Sequence, residues 1–134
     1  MTLRRLLAAA TLSAALGAAA AVPSAQAAKQ CAPVTGKSEL GSSGAPRTLS
    51  AQVEVFAGRV TCATARRVAK VAVFGHPRYV DHGGADHYLV VGRWKGQVRM
   101  GFWNFRNGSR IIDGKIFLVC PDGRKLPIDP PPTC

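Results

Sequence analysis

The clearest element in the chain is the segment TCATARRVAKVAVFG, residues 61–75. Thr61 is a favoured helix N-cap, and Gly75, with Pro77 shortly after it, sits where a left-handed C-cap glycine belongs. Apolar side chains recur at helical spacing between these residues, and the small ones allow a sheet to approach closely. The spacing predicts a helix over 62–74. Its apolar stripe consists of Cys62, Ala65, Val68, Ala69, Ala72 and Val73, and its basic side consists of Arg66, Arg67 and Lys70.

Downstream of the helix, a loop rich in Gly, Pro and Asp is followed by strand-like segments that glycines separate. The first two segments are predicted to pair through a turn at Lys95-Gly96, and the last two through Pro121-Asp122-Gly123. A meander of antiparallel strands is therefore expected. The predicted loop covers 75–86, and the predicted strands cover 87–94, 97–103, 115–120 and 124–128.

Upstream of the helix, residues 51–56 alternate in the manner of a strand, with Val53 and Val55 opposite Gln52 and Glu54. Residues 28–50 are rich in Gly, Ser and Pro and are predicted to form an irregular N-terminal arm. The predicted fold is α+β: one strand and one helix packed on an antiparallel β-meander. This small domain is predicted to span residues 51–134.

The N-terminus has the pattern of an export signal. Arg4 and Arg5 precede an apolar run over 6–22, and Ala25-Gln26-Ala27 is a small-x-small cleavage signature. We expect a signal peptide over 1–27 and a secreted, extracellular protein. The run is short and rich in Ala for a membrane span, so it is expected to insert only weakly as an uncleaved anchor. Once the signal peptide is removed, no stable membrane insertion is expected.

The four cysteines all lie beyond the predicted signal peptide. An even number in an exported chain predicts two disulfide bonds, for which three pairings exist. We prefer Cys62–Cys120 inside the fold and Cys31–Cys134 between the ends. The spacings match no zinc motif, and no metal or other cofactor is predicted.

The chain is strongly basic, with a formal net charge of +11. Such a surface favours polyanionic partners, which include acidic envelope polymers, anionic lipid and nucleic acid. The helix face Arg66, Arg67 and Lys70 is a candidate contact for these partners. For a helix of this kind, a merely solvated face is the commoner interpretation.

Two segments carry a resemblance to a known group of proteins. Residues 60–69, VTCATARRVA, and residues 117–124, FLVCPDGR, resemble small secreted proteins of high-GC Gram-positive (actinobacterial) bacteria. In that group a Cys-x-x-Ala-Arg helix is followed by a Cys-x-x-Gly hairpin, and the function is unassigned. The resemblance implies a fold and a compartment, without an activity.

A second resemblance concerns residues 91–98, VGRWKGQV, which are similar to a strand of the secreted subtilisin inhibitors of the same bacteria. It suggests an alternative function as a secreted inhibitor or a module that binds a protein partner.

The predicted hairpin over 87–103 places flat aromatic side chains beside a guanidinium. If Lys95-Gly96 is the turn, Tyr88, Trp94, Arg99 and Trp103 share one face around two glycines. Such a face suits stacking on sugar rings or bases, with Arg99 binding an anionic group. The competing interpretation is that the N-terminal arm covers these rings as a second small core, since large aromatic side chains are usually buried.

All three histidines lie between residues 76 and 87, together with two Asp-His pairs. His82, His87 and Asp86 define a further alternative, a small secreted hydrolase. The spacing matches no ligand motif, neighbouring residues point apart in an extended chain, and no Gly-x-Ser-x-Gly elbow is present. A solvated loop is the favoured interpretation, and no catalytic residue is predicted.

The favoured function is therefore that of a non-catalytic, basic secreted protein that binds anionic polymer or glycan at the cell envelope. A protein partner is the next alternative, and nucleic acid is less favoured.

Overall fold

A computed structural model describes residues 28–38, 46–130 and 132–134. The predicted signal peptide lies outside the described residues. The elements are β1 (Lys29–Ser38), β2 (Arg47–Ala57), α1 (Cys62–Phe74), β3 (Arg78–Asp81), β4 (His87–Val91), β5 (Trp94–Arg99), β6 (Phe102–Asn107), β7 (Arg110–Val119) and β8 (Lys125–Pro127). The fold is α+β, as the sequence predicts: one helix lies on an antiparallel sheet.

The strands form a single sheet in the order β1-β2-β7-β6-β5-β4-β3, with β8 paired to β7. Every neighbouring pair is antiparallel. Strands β3 to β7 follow one another as a meander, and β7 then pairs with β2, which the chain forms before the helix. No helix within the described part of the chain is long and apolar enough to cross a membrane.

The helix has the bounds that its sequence predicts. Thr61 caps it, because its Oγ1 accepts a hydrogen bond of 3.2 Å from the backbone N–H of Thr64. The buried side chains of α1 are Ala65, Val68, Ala69, Ala72 and Val73. Gly75 ends the helix in extended rather than left-handed backbone, with its N–H bonded to Val71 O. Glycine fits there because a Cβ would lie 2.9 Å from that oxygen.

Two aromatic side chains of β6 form the centre of the core, and each lies opposite a glycine. Trp103 is fully buried opposite Gly114 of β7, and Phe105 is buried opposite Gly96 of β5. A Cβ on Gly96 would stand 2.7 Å from Phe105 Cγ. The glycines therefore provide the space in which the two rings lie beneath the helix.

The segment predicted as an irregular arm is largely a strand. Residues 29–38 form β1, which pairs with β2 along its length and has an irregularity between Cys31 and Val34. Few of its side chains are buried, which is why its composition resembles that of a loop. An edge strand can be formed by backbone hydrogen bonds to its neighbour with little apolar content.

The disulfide pairing differs from the predicted one. Cys31 is bonded to Cys62 and Cys120 to Cys134, so all four cysteines are bridged, but in another connectivity. The strand character of β1 explains the first bridge, because it brings Cys31 to within 5.5 Å (Cα–Cα) of the first residue of α1. Cys120 is buried, as predicted, but its partner is the C-terminal residue.

The predicted hairpin over 87–103 is also different. The chain turns at Gly92-Arg93 and again at Met100-Gly101, so that three strands replace the predicted two. Lys95 and Gly96, predicted as a turn, lie inside β5. The hairpin of β7 and β8 lies close to its predicted position.

Candidate functional site

Helix α1 covers one face of the sheet, and we call the opposite face the open face. The alternation of β2 shows the two faces: Val53 and Val55 are buried on the helix side, whereas Gln52 and Phe56 are exposed on the other. Within the described ranges no helix or strand packs over this second face. A broad sheet surface is thereby available to a partner.

Five polar side chains stand in register across the open face. We call this set the polar row, and it consists of Gln30, Glu54, Asp113, Asn104 and Gln97. They lie on β1, β2, β7, β6 and β5 in that order, and each residue is the direct partner of the next on the neighbouring strand. Directly opposite residues lie side by side on one face, so the row presents two carboxylates flanked by three amides.

Side-chain hydrogen bonds fix the two ends of the polar row. Gln30 Nε2 donates to Glu54 Oε2 at 2.6 Å. At the other end, Gln97 Oε1 accepts a bond of 2.8 Å from Arg99 Nε, and Gln97 Nε2 donates to His87 O at 3.5 Å. These bonds orient the amides, and they leave further acceptor and donor positions of the row directed at solvent.

Cations lie on both sides of the polar row. Arg106 and Lys95 are direct partners on one side, two residues along their strands from Asn104 and Gln97. On the other side, Lys115 and Arg99 both face Phe102. The described residues contain one ion pair, Arg124 with Asp122, so none of these four cations is held in an internal ion pair.

A groove of about 980 Å³ lies over the part of the polar row formed by Asp113, Asn104 and Gln97. Phe56 of β2 stands at one end, with 58% of its side chain exposed, and Tyr88 of β4 at the other. The Lys95 ammonium lies 5.4 Å from the centre of the Tyr88 ring, which is within the range of a cation–π contact. The groove is lined by Phe56, Tyr88, Arg93, Lys95, Gly96, Gln97, Asn104, Phe105, Arg106, Asn107, Gly108, Ile111 and Asp113.

The two carboxylates at the middle of the row influence each other. Partial burial raises the pKa of Asp113, and the neighbouring charge of Glu54 raises it further. Glu54 accepts the hydrogen bond from Gln30 Nε2. The pair therefore places an acceptor that already has one donor beside a carboxyl that takes up a proton more readily than an ordinary Asp.

The structure separates the four residues of the predicted aromatic face. Trp94 and Trp103 are buried in the core beneath α1, so their assignment to a binding face was wrong. The reason is the turn at Gly92-Arg93, which places Trp94 directly opposite Val91 on the helix side. The N-terminal arm does not cover them; the single core of the fold does.

Tyr88 and Arg99 do lie on the open face. Tyr88 lines the groove, and its hydroxyl is 3.2 Å from His82 Nε2. Arg99 is exposed beside Gln97 and Phe102. Half of the predicted aromatic set is therefore brought together at the polar row, although the role of these residues in binding stays a prediction.

The basic face of the helix lies on the other side of the molecule. Arg66, Arg67 and Lys70 are exposed on α1, and Arg66 Nη2 donates to Pro33 O at 3.5 Å. Because the helix covers the side opposite the groove, these three cations and those of the polar row do not converge. They form two separate basic surfaces.

The prediction of a loop over 75–86 was partly wrong, because Arg78–Asp81 form β3, which pairs with β4. The remainder, around His82 and Asp86, is exposed and held by local bonds. Gly83 N donates to Asp81 Oδ1 at 2.8 Å, and His82 N donates to Asp86 O at 2.9 Å. The ring of His82 lies beside that of Tyr88, whereas the ring of His87 lies 6.0 Å from that of Tyr79 between centroids. In the described part of the chain no group of three His, Cys, Asp or Glu residues is arranged to hold a metal ion.

Sequence reasoning identified Arg99 among the flanking cations but missed most of the polar row. Of the row, only Glu54 stood out, as an outward residue of a predicted strand. The alternation in WNFRN, residues 103–107, would have indicated Asn104 and Arg106 once Trp103 and Phe105 were assigned to the core. The pairing of β2 with β7, which joins Glu54 to Asp113, is a long-range contact that no local pattern reveals.

Comparison with known proteins returns no match to a protein family, a curated protein or a solved structure. The functional assignment therefore depends on the geometry of the open face.

Proposed function

We propose that the protein is a secreted, non-catalytic protein that binds an anionic polymer of the cell envelope through the groove of its open face. The observation that supports this most is the polar row, uncovered and flanked on both sides by cations that have no internal ion-pair partner in the described chain. Cationic surfaces attract polyanions, and unpaired side chains on a sheet retain hydrogen-bonding capacity.

Secretion is supported by two features. The N-terminal segment has the charged, apolar and small-x-small pattern of a signal peptide. The two disulfide bonds leave no free thiol among the cysteines, which is typical of proteins that mature in an oxidising compartment.

The charge distribution supports a polymer rather than a small anion. Arg93, Lys95, Arg106, Lys115 and Arg99 are spread over three pockets of the same face. A compact anion would contact one or two of these residues. A chain that crosses the strands would contact most of them, and its affinity would depend on the sum of many weak contacts.

The test is retention of the purified protein on isolated envelope material across a salt series, with two matched variants. Arg106→Gln removes a cation from the groove, and Arg67→Gln removes one from the exposed helix face, so both change the net charge equally. We expect retention to fall steeply with salt and Arg106→Gln to weaken it several-fold more than Arg67→Gln.

Equal effects of the two variants would locate binding in the overall charge and overturn the assignment to the open face. Absence of retention at low salt would overturn the proposed function itself.

A further inference from the structure

We infer that the groove recognises an acidic polysaccharide laid along the polar row, with sugar hydroxyls on the row and anionic groups on the flanking cations. This inference rests on the proposed function and specifies the class of polymer. It follows from where the carboxylates, amides, cations and aromatic rings stand relative to one another on the open face.

The carboxylates at the centre of a basic surface are the first argument. Glu54 and Asp113 are direct partners at the middle of the row, and a carboxylate presents only acceptor atoms. A phosphate chain also presents only acceptors along its backbone and would be repelled at this point. The occupant of the centre of the row must therefore carry hydrogen-bond donors, which sugar hydroxyls provide.

The amides are the second argument. The side chains of Asn104 and Gln97 each contain a donor and an acceptor, as a hydroxyl group does. Asn104 is exposed and forms no side-chain hydrogen bond within the described residues, so its amide is free for a ligand. Its position beside Asp113 gives the row an acceptor next to a donor, a pattern that suits neighbouring hydroxyls on one ring.

The spacing of the cations is the third argument. The polar row spans four interstrand intervals, on the order of 19 Å. Arg106 and Lys115 stand two residues from the row on opposite sides, which is roughly 7 Å along a strand. A linear chain lying on the row would therefore have cations at both of its margins, where carboxylate or sulfate substituents would project.

The aromatic side chains are the fourth argument. Phe56 and Tyr88 stand at the two ends of the groove, and more than half of Phe56 is exposed although it is a large apolar side chain. The faces of sugar rings carry C–H groups that pack against such side chains and remove apolar surface from water. A polysaccharide can use the rings and the row together.

The experiment measures binding of polygalacturonate, of inorganic polyphosphate and of a single-stranded RNA to the purified protein and to its Asn104→Ala variant. This substitution leaves the net charge unchanged. We expect it to weaken polygalacturonate binding about threefold to tenfold, since it removes hydrogen bonds to hydroxyls, and to leave polyphosphate binding unchanged.

Two controls accompany this comparison. Thr133→Ala, at an exposed position next to the 120–134 disulfide, should bind all three probes as the unmodified protein does. Gln97→Ala repeats the test at a second amide of the row, and thermal unfolding of each variant verifies that its fold is retained.

Three results would overturn the inference: full binding of polygalacturonate by both amide variants, tighter binding of polyphosphate than of polygalacturonate, or tighter binding of a single-stranded RNA with the same loss in Asn104→Ala. Each is compatible with salt-dependent envelope retention that Arg106→Gln reduces. The proposed function and the inference therefore fail separately.

Discussion

The indole Nε1 of Trp103 donates a hydrogen bond of 2.8 Å to the backbone oxygen of Gln52, across the intervening strand β7. Gly114 of β7 lies directly opposite Trp103 and leaves the space through which the ring reaches. This bond joins the meander to the strand that precedes the helix. It is therefore a tertiary contact as well as a contribution to core packing.

Trp103→Phe is expected to lower the free energy of unfolding by about 1–3 kcal/mol, because it retains a ring but leaves the Gln52 oxygen without its donor. Urea denaturation measures the change. Trp94→Phe is the matched control, since its indole forms no hydrogen bond within the described residues; a loss there as large as at Trp103 would contradict the role of the bond.

Gly114→Ala is expected to destabilise the protein by about 1–3 kcal/mol or more through overpacking. The added Cβ would overlap the Gln52 oxygen and stand 2.8 Å from Trp103 Nε1. Denaturation together with Trp fluorescence tests this, since the same substitution should shift the emission of the buried indole. An unchanged midpoint would show that β7 can move away from β2 at little energetic penalty.

Ser50→Ala is expected to preserve or raise stability, by about 1 kcal/mol. Ser50 Oγ is fully buried and has no hydrogen-bond partner among the described residues, so the hydroxyl loses its solvation on folding without compensation. Thermal unfolding gives the answer. A clear loss of stability would indicate that Ser50 has a partner in the native protein.

The two disulfides are expected to contribute comparably. Removing either one by paired Cys→Ala substitution should lower the free energy of unfolding by about 3–4 kcal/mol. The 31–62 bridge joins residues separated by 31 positions and the 120–134 bridge residues separated by 14, so the first should contribute slightly more, by about 0.7 kcal/mol. Peptide mapping without reduction checks the pairing, and a peptide that links Cys62 to Cys120 would refute it.

Asp113 should make stability depend on pH. Its pKa is raised in the folded state, so the native protein binds the proton more tightly than the unfolded chain does. Stability contributed by the protonated carboxyl is present at low pH and is lost as pH rises from the ordinary value of 3.8 through the raised pKa. Asp113→Asn should therefore be more stable than the unmodified protein at pH 7.

The measurement compares urea midpoints of the two proteins at pH 7 and at pH 3. The advantage of Asp113→Asn should shrink at pH 3, where both the folded and unfolded carboxyls are protonated. An advantage that is the same at both pH values would show that packing, rather than ionisation, distinguishes the side chains. Glu54→Gln should also reduce the effect, since the charge of Glu54 is the second cause of the shift.

The helix shows what local pattern can predict. Its start, its end and five of the six residues of its apolar stripe depend on residues within a few positions of one another, and these were correct. Cys62 is only partly buried, and Gly75 is extended rather than left-handed. The strands 115–120 and 124–128 were close for the same reason, since the turn at Pro121-Asp122-Gly123 is local.

The aromatic face shows where local pattern fails. A two-residue turn resets the alternation of a strand, so an undetected turn at Gly92-Arg93 changed the face assigned to Trp94. Gly96 resembled a turn residue, yet it lies inside β5, opposite Phe105. The role of Gly96 depends on its partner strand β6, and the local sequence of β5 does not specify that partner. The polar row could not be predicted for the same reason, because its residues meet only through strand pairing.

The disulfide pairing determines how the molecule responds to a cut in its backbone. One disulfide closes a loop over residues 31–62 and the other a loop over residues 120–134, so no disulfide connects the part of the chain before residue 63 to the part after residue 119. The exposed tip at Gly83-Gly84 lies in that middle part, and such tips are where proteases act first. A single cleavage there would yield two polypeptides joined only by the non-covalent contacts of the sheet and of the helix packed on it, and denaturant alone would separate them without a reducing agent.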